Sequence, residues 1–201
     1  VKWHYWESVG SDTCIIWLGG GIAGERLRIN PFWLESYNTM RFLQDLSLHY
    51  SLLALEEGTD ATLQVSLNRT VYTETYRPKS LLYNTRAWAE SQGYSYIYLM
   101  GYSVGGVAVA TEATLEDPEG WNPPHGVILI TVPVSAELRA SAGNLRSNLL
   151  LLYGEKMTPF YTQSGIAYFN QTRGEVAGGS ENRQTELCVL KDVAHEVWTV
   201  A

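Results

Sequence analysis

Residues 94–107 read YSYIYLMGYSVGGV and contain the pattern that decides the fold. The apolar, tyrosine-rich run 95–100 has the length and composition of a buried strand. A G-x-S-x-G motif follows at 101–105, and a helical pattern of small residues covers 107–115. A serine on so sharp a turn has a strained backbone, which requires small neighbours. The stretch therefore predicts a strand, a tight turn and a helix that present Ser103 as a nucleophile; a glycine-rich turn with an incidental serine is the alternative.

Strand-like and helix-like patterns alternate along the rest of the chain. This alternation predicts an α/β fold with a doubly wound, mostly parallel sheet and helices on both faces, in a single domain covering residues 1–201. No linker or repeat interrupts it. The predicted strands are 1–7, 13–18, 49–55, 95–100, 126–131, 149–153 and 187–190, and the predicted helices are 32–46, 78–91, 107–115, 135–145 and 159–169.

The composition limits the classes of partner. The chain has 201 residues, 45% of them hydrophobic, which is enough for one sizeable core. A formal net charge of −7 argues against nucleic acid and anionic membrane surfaces as partners. No apolar run approaches the roughly 18–20 residues of a membrane span. No group of His, Cys and Asp has the spacing of metal ligands, so neither a metal nor an organic cofactor is expected.

Two features bear on the cellular compartment. N-x-[ST] sequons occur at Asn68 and Asn170, and they slightly favour a secreted glycoprotein, with a cytoplasmic location left open. The two cysteines, Cys14 and Cys188, lie in apolar strand-like runs. They are too few for a disulfide framework, and we expect both to be reduced.

The parallel topology sorts the histidines. Residues that directly follow a strand lie at the carboxyl edge of the sheet, where doubly wound folds have their sites. Ser103 lies at this edge. His49 and His125 precede strands and are expected at the opposite edge, whereas the direction of the strand that contains His4 is undetermined. His195 follows the last strand and is the candidate general base.

The same criterion leaves three candidate acids. Glu155 follows its strand most closely and is the first choice. Glu137 requires a bend after the preceding strand, and Asp192 is only three residues from His195, a spacing that rarely allows a carboxylate to orient the imidazole. A solvated surface charge is the alternative role for each of them.

A glycine-rich turn, Gly19-Gly20-Gly21, follows the second strand. Acyl transfer needs backbone N–H groups directed at a developing oxyanion, and the N–H groups of Gly20 and Val104 are the candidate donors. The segment 19–24 also matches a loose G-x-G-x-x-G pattern. No acidic residue ends the following strand at the right place, so dinucleotide binding is disfavoured.

These motifs together resemble the α/β-hydrolase superfamily over essentially the whole chain. The motif at 101–105 resembles the nucleophile elbow, residues 18–21 resemble the oxyanion loop, and residues 189–195 resemble the last strand with its histidine loop. Residues 152–159 resemble the acid loop, but Met157 occupies the position at which Asp is usual. The resemblance therefore implies that Glu155 or Glu137 is the acid, or that the triad is incomplete.

The resemblance implies a small serine hydrolase without a lid, since only residues 132–148 separate the two strands between which the family often inserts one. The expected reaction is cleavage of small carboxylic esters through an acyl-enzyme, with Ser103, His195 and Glu155 as the triad. A non-catalytic α/β-hydrolase-like binding protein and a peptide or acylpeptide hydrolase are the alternatives. The oligomeric state is left open.

Overall fold

A computed structural model describes residues 2–19, 34–56, 77, 80–116, 119, 121–174 and 184–193. Its strands are β1 (Lys2–Trp6), β2 (Thr13–Leu18), β3 (Ser51–Glu56), β4 (Tyr96–Tyr102), β5 (Gly126–Ile130), β6 (Asn148–Gly154) and β7 (Thr185–Leu190). Its α-helices are α1 (Leu34–Ser47), α2 (Leu81–Ser91), α3 (Val104–Ala113), α4 (Ala136–Ala140) and α5 (Pro159–Gly174).

The seven strands form one sheet in the order β1-β3-β2-β4-β5-β6-β7. β1 pairs antiparallel with β3, and every other pair is parallel. β2 and β4 lie at the centre, with Leu18 beside Gly101 in the register. The carboxyl ends of β2, β4, β5, β6 and β7 therefore meet at one edge of the sheet, and the predicted α/β fold is confirmed.

Both faces of the sheet are apolar, and they are packed to different extents. One face carries α2, α3, α4 and α5 over a continuous core that includes Leu99, Leu129 and Leu151, each fully buried. The opposite face carries α1, whose Leu43 packs among Ile15, Trp17 and their neighbours. Toward β7 the strand residues on this second face are only partly buried. The central strands thus contact apolar cores on both faces of the sheet.

The boundaries differ from the sequence predictions mainly at the helices. α3 begins at Val104, three residues before the predicted start, because the glycines at 105 and 106 fit a helix packed directly on the sheet. α5 extends to Gly174, beyond the predicted end. The predicted helix at 135–145 is α4 followed by a 3-10 turn, Ala142–Asn144.

The structure bears on several smaller expectations. Cys14 and Cys188 are both free, as expected. Asn170 is exposed on α5, while Thr172 of the same sequon is fully buried; Asn68 lies outside the described residues. No helix in the described part of the chain is long and apolar enough to cross a membrane.

Candidate active site

Ser103 occupies the turn between β4 and α3. Its backbone has φ 53° and ψ −124°, in a region that side-chain-bearing residues rarely adopt. The turn is held by two hydrogen bonds: Ser103 N–H donates to the Ile130 carbonyl at 2.9 Å, and Gly106 N–H donates to the Ser103 carbonyl at 3.0 Å. A strained serine directly before a helix N-terminus is the geometry predicted for a nucleophile elbow.

The glycines of the motif allow this turn to fit. A Cβ atom on Gly101 would lie 2.5 Å from the Cα of Gly106, so strand and helix approach each other more closely than any side chain permits. A Cβ on Gly105 would overlap the carbonyl oxygens of Leu18 and Gly19. The first turn of α3 therefore packs directly against the turn that follows β2.

That second contact brings the candidate oxyanion region beside the elbow. Leu18 is buried and ends β2, and the backbone of Gly19 touches Gly105. Val104, the other candidate donor, opens α3 immediately after Ser103. Gly20 lies outside the described residues, so its N–H remains a predicted donor.

Hydrogen bonds connect the ends of β4, β5 and β6 at this edge of the sheet. The peptide between Ile130 and Thr131 accepts from Ser103 N–H at its carbonyl and donates from Thr131 N–H to the Leu152 carbonyl at 2.8 Å. Beneath this edge, the Tyr153 hydroxyl donates to the Val132 carbonyl at 2.9 Å, and burial raises the pKa of Tyr153 well above its usual value. The phenol therefore stays neutral, and the edge around Ser103 is fixed by ordinary neutral hydrogen bonds.

Glu155, the first-choice acid, lies at the carboxyl edge directly after β6. Its carboxylate accepts a hydrogen bond from the backbone N–H of Asp192 at 3.0 Å, and its own N–H donates to the Leu190 carbonyl at 2.9 Å. The side chain is exposed. Glu155 thus contacts the turn that leads from β7 toward His195, which itself lies outside the described residues.

The other candidate acids occupy different surroundings. The Asp192 carboxylate pairs with the Lys156 ammonium at 3.2 Å, and both side chains are largely exposed. Glu137 is exposed in the first turn of α4. Met157, at the position where the resemblance leads one to expect Asp, is only 8% exposed and belongs to the main apolar core.

The predicted positions of the remaining histidines agree with the topology. His49 and His125 precede β3 and β5 and lie at the edge opposite Ser103; the ring of His125 packs edge-on against Tyr96 and Tyr98. His4 lies within β1, which runs antiparallel to β3, and stacks on Trp6. None of these three imidazoles is near the elbow turn.

Thr131 is the residue at this edge that sequence reasoning missed. It has φ 49° and a fully buried side chain whose hydroxyl has no partner among the described residues. Together with Ser103 and Asp192 it completes the set of non-glycine residues in the described chain with positive φ. All three follow strands that end at the same edge. The sequence signal for Thr131 was a polar residue that follows a buried strand and directly precedes Val132-Pro133.

Comparisons with known proteins agree with this geometry at the level of the fold. A hydrolase from Thermoplasma acidophilum, described as predicted and CIB-like, has a TM-score of 0.60 at 14% identity over 98% of this chain and 83% of its own. A lipase-esterase related protein from Clostridium acetobutylicum has a TM-score of 0.66 at 10% identity over 99% and 93% of the two chains. The chain has the α/β-hydrolase fold.

A third similar structure is that of a phosphorylated esterase. It is Thermogutta terrifontis esterase 2 phosphorylated by paraoxon, with a TM-score of 0.60 at 11% identity over 96% of this chain and 78% of that one. No protein-family model and no curated protein matches the sequence. These α/β-hydrolase neighbours are esterases and other hydrolases. At identities of 10–14%, the comparison shows a similarity in fold.

Proposed function

We propose that this protein is a serine hydrolase that cleaves small carboxylic esters through an acyl-enzyme. The observation that carries the proposal is the backbone of Ser103, which is strained at the end of β4 and directly precedes the N-terminus of α3. Strain of this kind persists where the surroundings over-determine it, and it concentrates at active sites. The esterases among the structural neighbours support the same class of reaction.

In the proposed reaction the Ser103 hydroxyl attacks the ester carbonyl while the His195 imidazole accepts its proton. The oxyanion of the tetrahedral intermediate is stabilised by the N–H groups of Val104 and Gly20. His195 then protonates the departing alcohol, leaving an acyl group on Ser103. A water molecule, deprotonated by the same imidazole, releases the acid and restores the hydroxyl.

Glu155 is the proposed acid. It directly follows β6, and its carboxylate accepts a hydrogen bond from the backbone of Asp192, three residues before His195. One carboxylate oxygen, Oε2, accepts from Asp192 N–H, and a carboxylate has acceptor capacity left for an imidazole N–H. We expect Glu155→Gln to lower kcat by about 10–100-fold, because the amide carries no charge to stabilise the imidazolium. Steady-state kinetics on an aryl ester measure this loss, and unchanged kcat would exclude Glu155 as the acid.

A fluorophosphonate probe tests the nucleophile itself. Such a probe reacts with an activated serine, and the neighbour phosphorylated by paraoxon is an esterase of the same fold. We expect stoichiometric labelling of the wild type, located at Ser103 by peptide mass spectrometry, and none in Ser103→Ala. Failure of the folded wild type to react would refute the hydrolase proposal.

That negative result would favour the second candidate function, a non-catalytic binding protein. The specific observation behind it is Met157, an apolar residue buried at the position where the resemblance leads one to expect the acid. A peptide or acylpeptide hydrolase would use the same residues as the esterase. Comparing kcat/KM for short-chain aryl esters with that for acylated peptides distinguishes these two.

A further inference from the structure

The end of β6 and the turn after β7 are joined by several hydrogen bonds. Glu155 N–H donates to the Leu190 carbonyl at 2.9 Å, and Lys156 N–H donates to the Val193 carbonyl at 2.8 Å. The Glu155 carboxylate accepts from Asp192 N–H at 3.0 Å. We call this set of contacts, between residues 155–156 and 190–193, the clasp.

The clasp changes the direction of the chain. β7 is at the edge of the sheet, three strands from β4, which places its end about 14 Å from Ser103 at about 4.8 Å per strand. Asp192 has φ 60°, so the backbone changes direction after β7. The bond from Lys156 to Val193 brings that residue beside the end of β6, two strands or about 10 Å from β4.

The position of Val193 limits where His195 can lie. Val193 and His195 are two positions apart, and two residues of extended chain span at most about 7 Å. A chain that continued straight from β7 would start one strand further away.

We propose that the clasp positions His195, and that the Glu155 side chain is a positioning group in it, in a role separate from its charge. This inference rests on the proposed function, since it assigns His195 to the reaction. The acceptor for Asp192 N–H is one oxygen, which the glutamine amide also offers. The role as triad acid, by contrast, needs the negative charge. The two roles therefore respond differently to Glu155→Gln and Glu155→Ala.

Asp192 is the residue of the clasp with the least favourable backbone conformation. Its φ of 60° is unfavourable for a side-chain-bearing residue, and its side chain is mostly exposed, with an ammonium partner that is exposed as well. The contact from Glu155 satisfies the N–H of this strained residue. Removing that acceptor should let the turn open, while the strands on either side stay paired.

Amide hydrogen exchange at Asp192, read by NMR, reports the clasp without reference to activity. In Glu155→Ala we expect exchange at this amide to accelerate at least about tenfold, and in Glu155→Gln to stay within about threefold of the wild type. Glu186→Ala, at an exposed glutamate on β7 that contacts no clasp residue in the described chain, is the matched control. Unchanged exchange in Glu155→Ala would overturn the proposal.

Kinetics provide the second readout. We expect kcat for an aryl ester in Glu155→Ala to fall about tenfold below that of Glu155→Gln, with KM nearly the same in both, because a misplaced base lowers kcat. Equal kcat values in the two variants would overturn the positioning role. If the wild type is neither active nor labelled by the fluorophosphonate, the proposed function fails, and the Asp192 exchange then decides on the clasp alone.

Discussion

The two ends of the proposed catalytic machinery are built differently. Ser103 follows the central strand β4 and lies between glycines that admit no Cβ, beside the main apolar core. The turn that leads to His195 follows the edge strand β7 and is held by polar contacts with residues 155–156 and by the buried side chain of Val193. The proposed nucleophile thus lies between backbone segments in close contact, whereas the turn before the proposed base depends in part on the exposed Glu155 side chain, which predicts different sensitivities to mutation.

Removing the nucleophile should have the largest effect. Ser103→Ala deletes one oxygen from a strained turn, so we expect kcat to fall at least about 10³-fold. The free energy of unfolding should change little. Esterase kinetics and urea denaturation measured on the same preparation test both statements. Residual activity above a tenth of the wild-type value would place the nucleophile elsewhere.

Crowding the elbow should affect activity and stability together. In Gly105→Ala the new methyl group meets the carbonyl oxygens of Leu18 and Gly19, which are backbone atoms of the candidate oxyanion turn. We expect a loss of about 1–3 kcal/mol in the free energy of unfolding. We also expect at least about a tenfold fall in kcat, since a shift of the oxyanion donors is costly.

The neighbouring glycine is the matched control for this variant. In Gly106→Ala the methyl group meets the Cγ2 of the fully buried Val132 and the Gly101 carbonyl oxygen at 3.0 Å, and neither atom belongs to the Leu18–Gly19 turn. A similar loss of stability with a smaller loss of kcat is therefore expected. If both variants lose activity equally, packing at the elbow in general, and not the contact with the Leu18–Gly19 turn, sets the activity.

Met157 occupies the position at which the resemblance leads one to expect Asp. Substituting it tests whether an acid at that position can serve His195. Its side chain is buried in the main core, so Met157→Asp places a carboxylate in apolar surroundings. We expect the free energy of unfolding to fall by about 2–4 kcal/mol and kcat to show no gain. Met157→Leu, which nearly conserves volume, should cost less than about 1.5 kcal/mol. A rise in kcat in the aspartate variant would instead show that the wild-type triad lacks an acid.

The turn at Ser103 could be predicted from the sequence and the contacts of the clasp could not, for a physical reason. A nucleophile elbow needs glycines at fixed local spacing, so residues 101–105 indicate both the turn and the strand before it. The clasp joins residues 37 positions apart, Glu155 and Asp192, through a contact that no local pattern encodes. Thr131 also has a positive φ, and only its place directly before Val132-Pro133 distinguished it in the sequence.

The smallest expected effect uses the two cysteines as reporters of the two regions. Cys14 lies fully buried on the central strand β2, and Cys188 lies partly exposed on β7. Burial raises the pKa of Cys14 from 9.0 to about 12. A thiol reagent at pH 8 should therefore modify Cys188 in the folded protein, while Cys14 reacts only as fast as the protein unfolds. Equal rates would mean that the centre opens as readily as the edge.

The same pKa shift has a consequence for stability with a definite sign. Below pH 9 the Cys14 thiol is protonated in both the folded and the unfolded chain, so its contribution to stability is fully present. Between pH 9 and about 12 the unfolded chain loses this proton first, and the stability falls. Urea denaturation across this range should show a shallower alkaline decline in Cys14→Ala than in the wild type. The variant starts from a lower stability because it leaves a small cavity, so the slopes, and not the absolute values, carry the test. Parallel slopes would mean that Cys14 ionises without global unfolding, and the centre of the sheet would then be less rigid than its packing indicates.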